Sequence, residues 1–131
     1  MNNNIIILII LSLLQFLVDI CSNPCHTIIG YPILFLHHIL GVYIYIGGFL
    51  FNAYYHMIFL VLIIIHWQTN KNKCKITELT NSICYPEYTG YKLFNDIVNM
   101  LNLHKINYNI SYVILYILIV CDIFIYYNKL H

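Results

Sequence analysis

The sequence predicts an all-α fold, a polytopic bundle of transmembrane helices, and three observations carry this prediction. Hydrophobic residues make up 61% of the 131 residues and charged residues only 8%, whereas a soluble domain is roughly 25% charged. Mean hydropathy is +0.76. Residues 20–70 contain no Asp, Glu, Lys or Arg. This composition excludes a soluble globular domain and, with a net charge of +1, a nucleic-acid-binding surface.

The first crossing is predicted over residues 5–22, which are rich in Ile and Leu. The alternative is a signal peptide over residues 1–22, whose removal would leave three helices. The first four residues, Met1-Asn2-Asn3-Asn4, contain no Lys or Arg, whereas a signal peptide begins with positive charge. We therefore predict four helices.

The charge-free stretch predicts two antiparallel crossings. As a single helix it would be about 75 Å long at ~1.5 Å per residue, and a bilayer core is only ~30 Å thick, so the chain must fold back. We place the reversal at Gly47-Gly48, because paired glycines relax the backbone. The predicted helices then cover residues 28–46 and 49–67.

A last crossing is predicted over residues 109–127, and the segment between, 68–108, forms the one sizeable polar loop. Within it, residues 91–105 have apolar side chains at helical spacing and predict a short amphipathic helix on the membrane surface or over the bundle. Five of the six lysines lie in this loop. The positive-inside rule therefore favours a cytoplasmic loop.

Four cysteines point to the opposite orientation. Cys21 and Cys25 follow the first helix, and Cys74 and Cys84 follow the third. Because two crossings separate the pairs, all four lie on one side of the membrane and could form two disulfides in an oxidising compartment. Cysteine also serves as a small hydrophobic residue, and we follow the lysines.

Polar residues at membrane depth are candidate functional groups because burying them in a bilayer costs free energy. Ser12, Gln15 and Asp19 share one face of the first helix. We expect this face to form hydrogen bonds inside the bundle; the alternative is the lining of a pore between copies of the chain. Asp122 lies near the end of the last helix, and we favour an interfacial position over pairing with a histidine.

Three histidines are predicted to meet at one depth. With a reversal at Gly47-Gly48, His37 and His38 of the second helix lie level with His56 of the third. Facing imidazoles could bind haem or a metal ion, or transfer protons. We favour neutral histidines that bond to tyrosine hydroxyls or backbone carbonyls, and we expect no required cofactor.

The segment around the third helix resembles small multi-pass membrane proteins of giant DNA viruses, and it is distantly similar to a bacterial family of short four-helix membrane proteins of unknown function. The matching residues are His37, His56, Trp67, Cys74, Thr77 and Glu78. Lys75 stands where the bacterial motif has proline, and the spacing to Glu78 also differs. The resemblance covers about residues 35–85. It implies a membrane bundle of viral or bacterial lineage and no activity.

The composition also suggests an origin and a class of function. The chain has 26 Ile, 14 Asn and no Arg, a bias typical of an AT-rich genome such as that of a large DNA virus. Motifs of nucleophilic or zinc enzymes are missing from the sequence. We expect a non-enzymatic structural or interaction component of a viral envelope or host endomembrane, in contact with lipid, with further copies or with other membrane proteins. The alternatives are a haem- or metal-binding redox bundle and a small oligomeric channel.

Overall fold

A computed structural model of the protein describes residues 2–87 and 110–130. The described residues form helices and no strands, so the all-α prediction is confirmed. Within these two described ranges, three helices are long and apolar enough to cross a membrane, and a fourth apolar helix is shorter. The predicted amphipathic helix over 91–105 lies outside the described residues. The helices are α1 (Asn3–Ser22), α2 (Gly30–Leu50), α3 (Ala53–Thr69), α4 (Lys75–Cys84) and α5 (Ile110–Leu130).

Asparagine side chains begin two of the apolar helices. The side chain of Asn2 accepts a hydrogen bond from the backbone N–H of Asn4 at the start of α1, over 3.1 Å. The side chain of Asn52 accepts one from the N–H of Tyr54 at the start of α3, over 2.9 Å. Each bond satisfies a backbone donor that has no partner within its own helix.

The chain reverses at Phe51–Asn52, and the predicted reversal at Gly47-Gly48 is wrong. Both glycines lie within α2, which continues to Leu50. The break comes where Phe51 leaves the helical region of backbone conformation and Asn52 caps the next helix. Paired glycine is a turn signal in water-exposed chains, but here the missing side chains make room for residues of neighbouring helices.

The apolar helices form an antiparallel bundle around α2. This helix packs against α1 on one side and against α3 and α5 on the others, and α4 covers its first turns. One end of the bundle, here called the cap end, contains residues 23–29 and 70–87. The hydroxyl of Tyr112, early in α5, donates to the side chain of Asn72 over 2.6 Å. Therefore α5 starts at the cap end and runs toward the Phe51–Asn52 turn, here called the turn end.

The bundle carries apolar side chains outward and polar side chains inward. Large hydrophobic residues are exposed along all four apolar helices, with Leu14, Tyr55 and Phe124 more than half exposed. The interior holds Leu34, Leu60 and Leu115, which are almost fully buried, together with polar residues. The buried polar residues of these four helices are Ser12, Gln15, Asp19, His38, His56 and Asp122.

Candidate functional site

The candidate site consists of two buried carboxylate–histidine pairs, one in each half of the bundle. His56 of α3 and Asp122 of α5 form the turn-end pair, with 2.6 Å between Nδ1 and Oδ2. Asp19 of α1 and His38 of α2 form the cap-end pair, with 3.1 Å between Oδ2 and Nε2. The four side chains are at most 3% exposed. Asp122 therefore pairs with a histidine, which is the alternative that we did not favour for it.

The hydrogen bonds of His56 fix the number of protons in the turn-end pair. Its Nε2 lies 2.9 Å from the backbone carbonyl oxygen of Tyr43, which can only accept, so Nε2 carries a proton. The 2.6 Å contact between Nδ1 and the Asp122 carboxyl needs a second proton. That proton belongs either to the imidazolium or to the carboxylic acid, and the pair is electrically neutral in both forms.

Gly47 and Gly48 allow the turn-end pair to approach α2. A Cβ atom on Gly48 would overlap Oδ1 of Asp122 and would lie 3.0 Å from Nδ1 of His56. A Cβ on Gly47 would lie 2.5 Å from the His56 ring. Gly47 and Gly48, which we predicted to form a turn, therefore form the surface of α2 against which this pair packs.

The cap-end pair is linked to the polar residues of the cap. The side-chain amide of Asn23 donates to Oδ1 of Asp19 over 3.4 Å, and the hydroxyl of Tyr85 donates to the backbone carbonyl of Asn23 over 2.8 Å. Burial, together with the nearby Asp19 carboxylate and Tyr31, raises the pKa of Tyr85, so this phenol stays protonated and remains a donor. Nδ1 of His38 has no hydrogen-bond partner among the described residues.

The polar stripe of α1 lies inside the bundle, as we expected for that face. Ser12 and Asp19 are fully buried and Gln15 is 9% exposed. The Ser12 hydroxyl donates to the backbone carbonyl of Leu8 over 2.7 Å. Because α1 packs against α2 through this face, the stripe is enclosed within one copy of the chain. The arrangement does not favour a pore between copies lined by these residues.

The three histidines do not meet, and the predicted common depth is wrong. His56 lies level with Gly47, about nine residues beyond His38, or ~13 Å along α2 at helical rise. His37 points instead to α4, where its Nε2 lies 2.9 Å from the Thr77 hydroxyl. No group of three or more potential metal ligands occurs among the described residues. The geometry gives no support to a haem or metal site shared by these histidines.

A disulfide joins the α1–α2 connection to the end of α4. Cys25 is bonded to Cys84, and both sulfur atoms lie against Gly30, where a Cβ would overlap them. The Thr27 hydroxyl donates to the carbonyl of Ile83 over 2.9 Å beside it. Of the other two predicted candidates, Cys21 and Cys74, neither takes part in a disulfide.

The sequence analysis identified all four residues of the two pairs, but it considered a histidine partner only for Asp122 and did not favour it. The missed signal is charge balance: an aspartate inside an apolar bundle needs a partner, and histidines are the ionisable residues at similar depth. Two aspartates and three histidines therefore predict aspartate–histidine pairs rather than a cluster of histidines. The contact between His37 and Thr77 had no comparable signal, because it depends on how α4 folds back over α2.

The hydrogen bonds of Glu78 in α4 provide a test of the structure of the cap. The side-chain amide of Asn70 donates to its Oε2 over 3.1 Å, and Lys75 donates to the same atom over 3.3 Å. These bonds lower the pKa of Glu78. We expect Asn70→Ala to raise this pKa toward its ordinary value, as measured by NMR titration of the carboxyl group.

A lowered pKa means that the charged form stabilises the cap at neutral pH and that this contribution is lost as the pH falls through the pKa of the folded state. Lys75→Gln removes the positive charge beside Glu78 and should also raise this pKa, because Lys75 lowers it both by its hydrogen bond and by its charge. An unchanged Glu78 titration in Asn70→Ala would show that the bond is not formed.

Comparison with known proteins gives no relative: the chain matches no family model, no curated protein and no solved structure. The resemblance to viral and bacterial membrane proteins stays a prediction.

Proposed function

We propose that this protein is a multi-pass integral membrane protein in which α1, α2, α3 and α5 all cross the bilayer, acting as a non-enzymatic membrane component. The distribution of side chains supports this. Large apolar residues face outward on all four helices, while aspartates and histidines lie inside. A lipid solvent favours this arrangement, and water does not.

The position of α3 supports its role as the fourth span. At 17 residues it is about 25 Å long at helical rise, near the lower limit for a crossing. It begins at the turn end and leads into α4, whose last residue, Cys84, is disulfide-bonded to Cys25 at the cap end. The helix therefore runs from the turn end to the cap end alongside α2, against which it packs.

The disulfide supports an orientation with the cap in an oxidising compartment. Disulfides persist in secreted and lumenal environments and are rare in the cytosol, and the Cys25–Cys84 bond lies at the cap end. Lys71, Lys73 and Lys75 at the same end favour the opposite orientation. We give the covalent bond more weight than the charge count, and place the cap in the lumen of a host endomembrane or outside a viral envelope.

The close enclosure of the two pairs supports the proposed non-enzymatic role. His38 and His56 are each 1% exposed, and their carboxylate partners are at most 3% exposed. Protein atoms thus occupy the space that a substrate would need beside either histidine. Membrane contacts and the cap are the parts of the described surface through which the protein would act.

An impermeant amine reagent applied to sealed microsomes tests span number and orientation together. Lys71 and Lys75 are exposed at the cap end and Lys129 is exposed at the turn end. We expect the reagent to modify Lys129 in sealed microsomes, and to modify Lys71 and Lys75 only after permeabilisation, as read by peptide mass spectrometry.

The three lysines control for one another, since each reports on a known end of the bundle. Modification of Lys71 and Lys75 alone in sealed vesicles would reverse the proposed orientation. Modification of all three without permeabilisation would contradict a membrane-spanning α5. Extraction of the protein by alkaline carbonate would contradict membrane integration altogether.

A further inference from the structure

We propose that the junction of α3 and α4 (residues 70–75, here called the α3–α4 junction) binds the negatively charged headgroup of a phospholipid through Lys71, Lys73 and Lys75. The proposal rests on the four-span arrangement proposed above, and it applies to either orientation of the cap. It goes further by naming a class of lipid and the residues that select it. Three observations support it: the depth of the junction, its excess of positive charge, and an exposed apolar face of α3 that leads to it.

The α3–α4 junction lies at the edge of the proposed membrane region. The pair Asp19–His38 lies three residues before the end of α1. His56 lies against Gly47, 13 residues before the end of α3. Because α1 and α3 both run antiparallel to α2 with the same rise per residue, their ends lie opposite about residues 34–35 of α2. The two helices thus leave the bundle at one level, and the junction, which follows α3 directly, lies at the depth of the lipid headgroups.

Hydrogen bonds hold the backbone of the junction and leave lysine side chains accessible. The backbone N–H of Asn72 donates to the carbonyl of Trp67 over 2.7 Å, and the side chain of Asn72 accepts from the hydroxyl of Tyr112 over 2.6 Å. Lys71 and Asn72 have φ angles of 51° and 60°, which non-glycine residues adopt in tight turns. Lys71 is exposed, and the side chain of Lys75 is 71% exposed. Both ammonium groups can therefore reach a ligand outside the bundle.

The junction carries more positive than negative charge. Residues 66–84 contain three lysines and a single carboxylate, Glu78, which leaves two positive charges in excess. Lys75 donates to Glu78 over 3.3 Å, whereas Lys71 forms no ion pair within the described ranges. The next acidic residue is Glu87, beyond the far end of α4. The excess charge is therefore complementary to an anion and is not neutralised by the neighbouring protein.

An exposed apolar face of α3 leads to the junction. Leu62 and Ile65 are 58% and 50% exposed, and with the exposed Thr69 they lie on one side of the helix at spacings of three and four residues. An acyl chain along this face would bring its phosphate to Thr69 and to the lysines that follow. The apolar stems of lysine side chains also lie along apolar surface while their ammonium groups reach the polar layer. The surface therefore fits a phospholipid better than it fits free phosphate.

Lysines select a headgroup by its charge rather than by its shape. Each ammonium group is a compact charge on a flexible stem, and each lysine near an anionic membrane surface raises the affinity by a factor of about five. We therefore expect preference for a negative headgroup over a zwitterionic one. With the cap in an oxidising compartment, as proposed above, the positive-inside rule does not account for these lysines, whereas an anionic lipid does.

The fluorescence of Trp67 tests the proposal. Trp67 is the only tryptophan of the chain and lies in the last turn of α3, so its emission reports on lipid beside the junction. The full-length protein is reconstituted into mixtures of phosphatidylglycerol and phosphatidylcholine in which one or the other carries bromine on its acyl chains. Quenching as a function of the mixture gives the relative affinity of the two lipids. We expect phosphatidylglycerol to be preferred by at least about fivefold, and the preference to fall as salt is added.

Two sets of lysine variants locate the effect. Lys71→Gln combined with Lys73→Gln removes two charges and leaves the ion pair of Lys75 with Glu78 in place. We expect the affinities of the two lipids for this variant to become nearly equal. Lys129→Gln makes the same change at the exposed turn end, so this matched control should keep the wild-type preference. Millimolar inorganic phosphate at constant ionic strength should leave the preference unchanged.

The outcomes separate this proposal from the proposed function. Equal affinity of the two lipids for the wild-type protein, or an unchanged preference in the double lysine variant, overturns the headgroup site and leaves the four-span arrangement standing. Loss of the preference on addition of inorganic phosphate assigns the junction to free phosphate and overturns the lipid assignment. If neither brominated lipid quenches Trp67, the end of α3 lies outside the bilayer, and both proposals fail.

Discussion

His56→Leu is expected to lower the free energy of unfolding by about 3–5 kcal/mol, the cost of breaking a buried ion pair by removing one partner. The change leaves Asp122 buried at 3% exposure with its Oδ2 unpaired. A carboxyl group in that position must either carry an uncompensated charge or become a neutral acid with no acceptor, and both forms are costly. Unfolding in detergent micelles, followed by circular dichroism, measures the loss.

A double variant separates the interaction within the pair from a general loss of core packing. His56→Leu combined with Asp122→Ala removes both polar groups, and such replacement by apolar residues is often neutral or stabilising. We therefore expect the double variant to be more stable than His56→Leu alone. His26→Leu, at an exposed histidine of the cap connection, is the matched control and should change stability little. A double variant less stable than His56→Leu would show that the two residues do not act as a pair.

The helices could be predicted from the sequence because hydropathy and length determine them almost alone. The helices predicted over 5–22 and 28–46 correspond to α1 (Asn3–Ser22) and α2 (Gly30–Leu50). The predicted position of the chain reversal was wrong because the local preference of two glycines for a turn competes with their role in helix packing. Gly47-Gly48 favours a turn in isolation, but a glycine in an apolar helix can also serve as a contact surface, and only the position of Asp122 shows which role applies.

The wrong position of the chain reversal also explains why the predicted depth of the histidines was wrong. A reversal at Phe51–Asn52 instead of Gly47-Gly48 moves the position opposite His56 from the neighbourhood of His38 to Gly47. A shift of about four residues is ~6 Å on each helix, which is enough to separate the histidines. The candidate metal site was therefore a consequence of an early error in chain reversal, and not of a wrong choice of residues.

The sequence pattern could not show which histidine pairs with Asp19, and the reason is different. Helical periodicity shows that Ser12, Gln15 and Asp19 share a face, and this face is buried. It does not give the rotation of α2 about its axis, and that rotation decides whether Asp19 meets His38 or His37. The disulfide is a similar case, because Cys25 could pair with Cys84 only once α4 had folded back over Gly30.

Gly48→Ala is the second large effect, and we expect it to lower the free energy of unfolding by about 1–3 kcal/mol, the usual cost of overpacking a core. The added methyl group would overlap Oδ1 of Asp122 and press on Nδ1 of His56. Because α2 continues through this position, the helix cannot move without losing its contacts with α5. The carboxylate must give way instead, and the 2.6 Å bond to His56 lengthens.

Gly41→Ala makes the same change at a position on α2 where a Cβ would meet no atom within 4 Å. It should be neutral or slightly stabilising, because alanine favours helix more than glycine does. Thermal unfolding of both variants in the same detergent compares them directly, and equal stability would mean that Asp122 does not rest against α2.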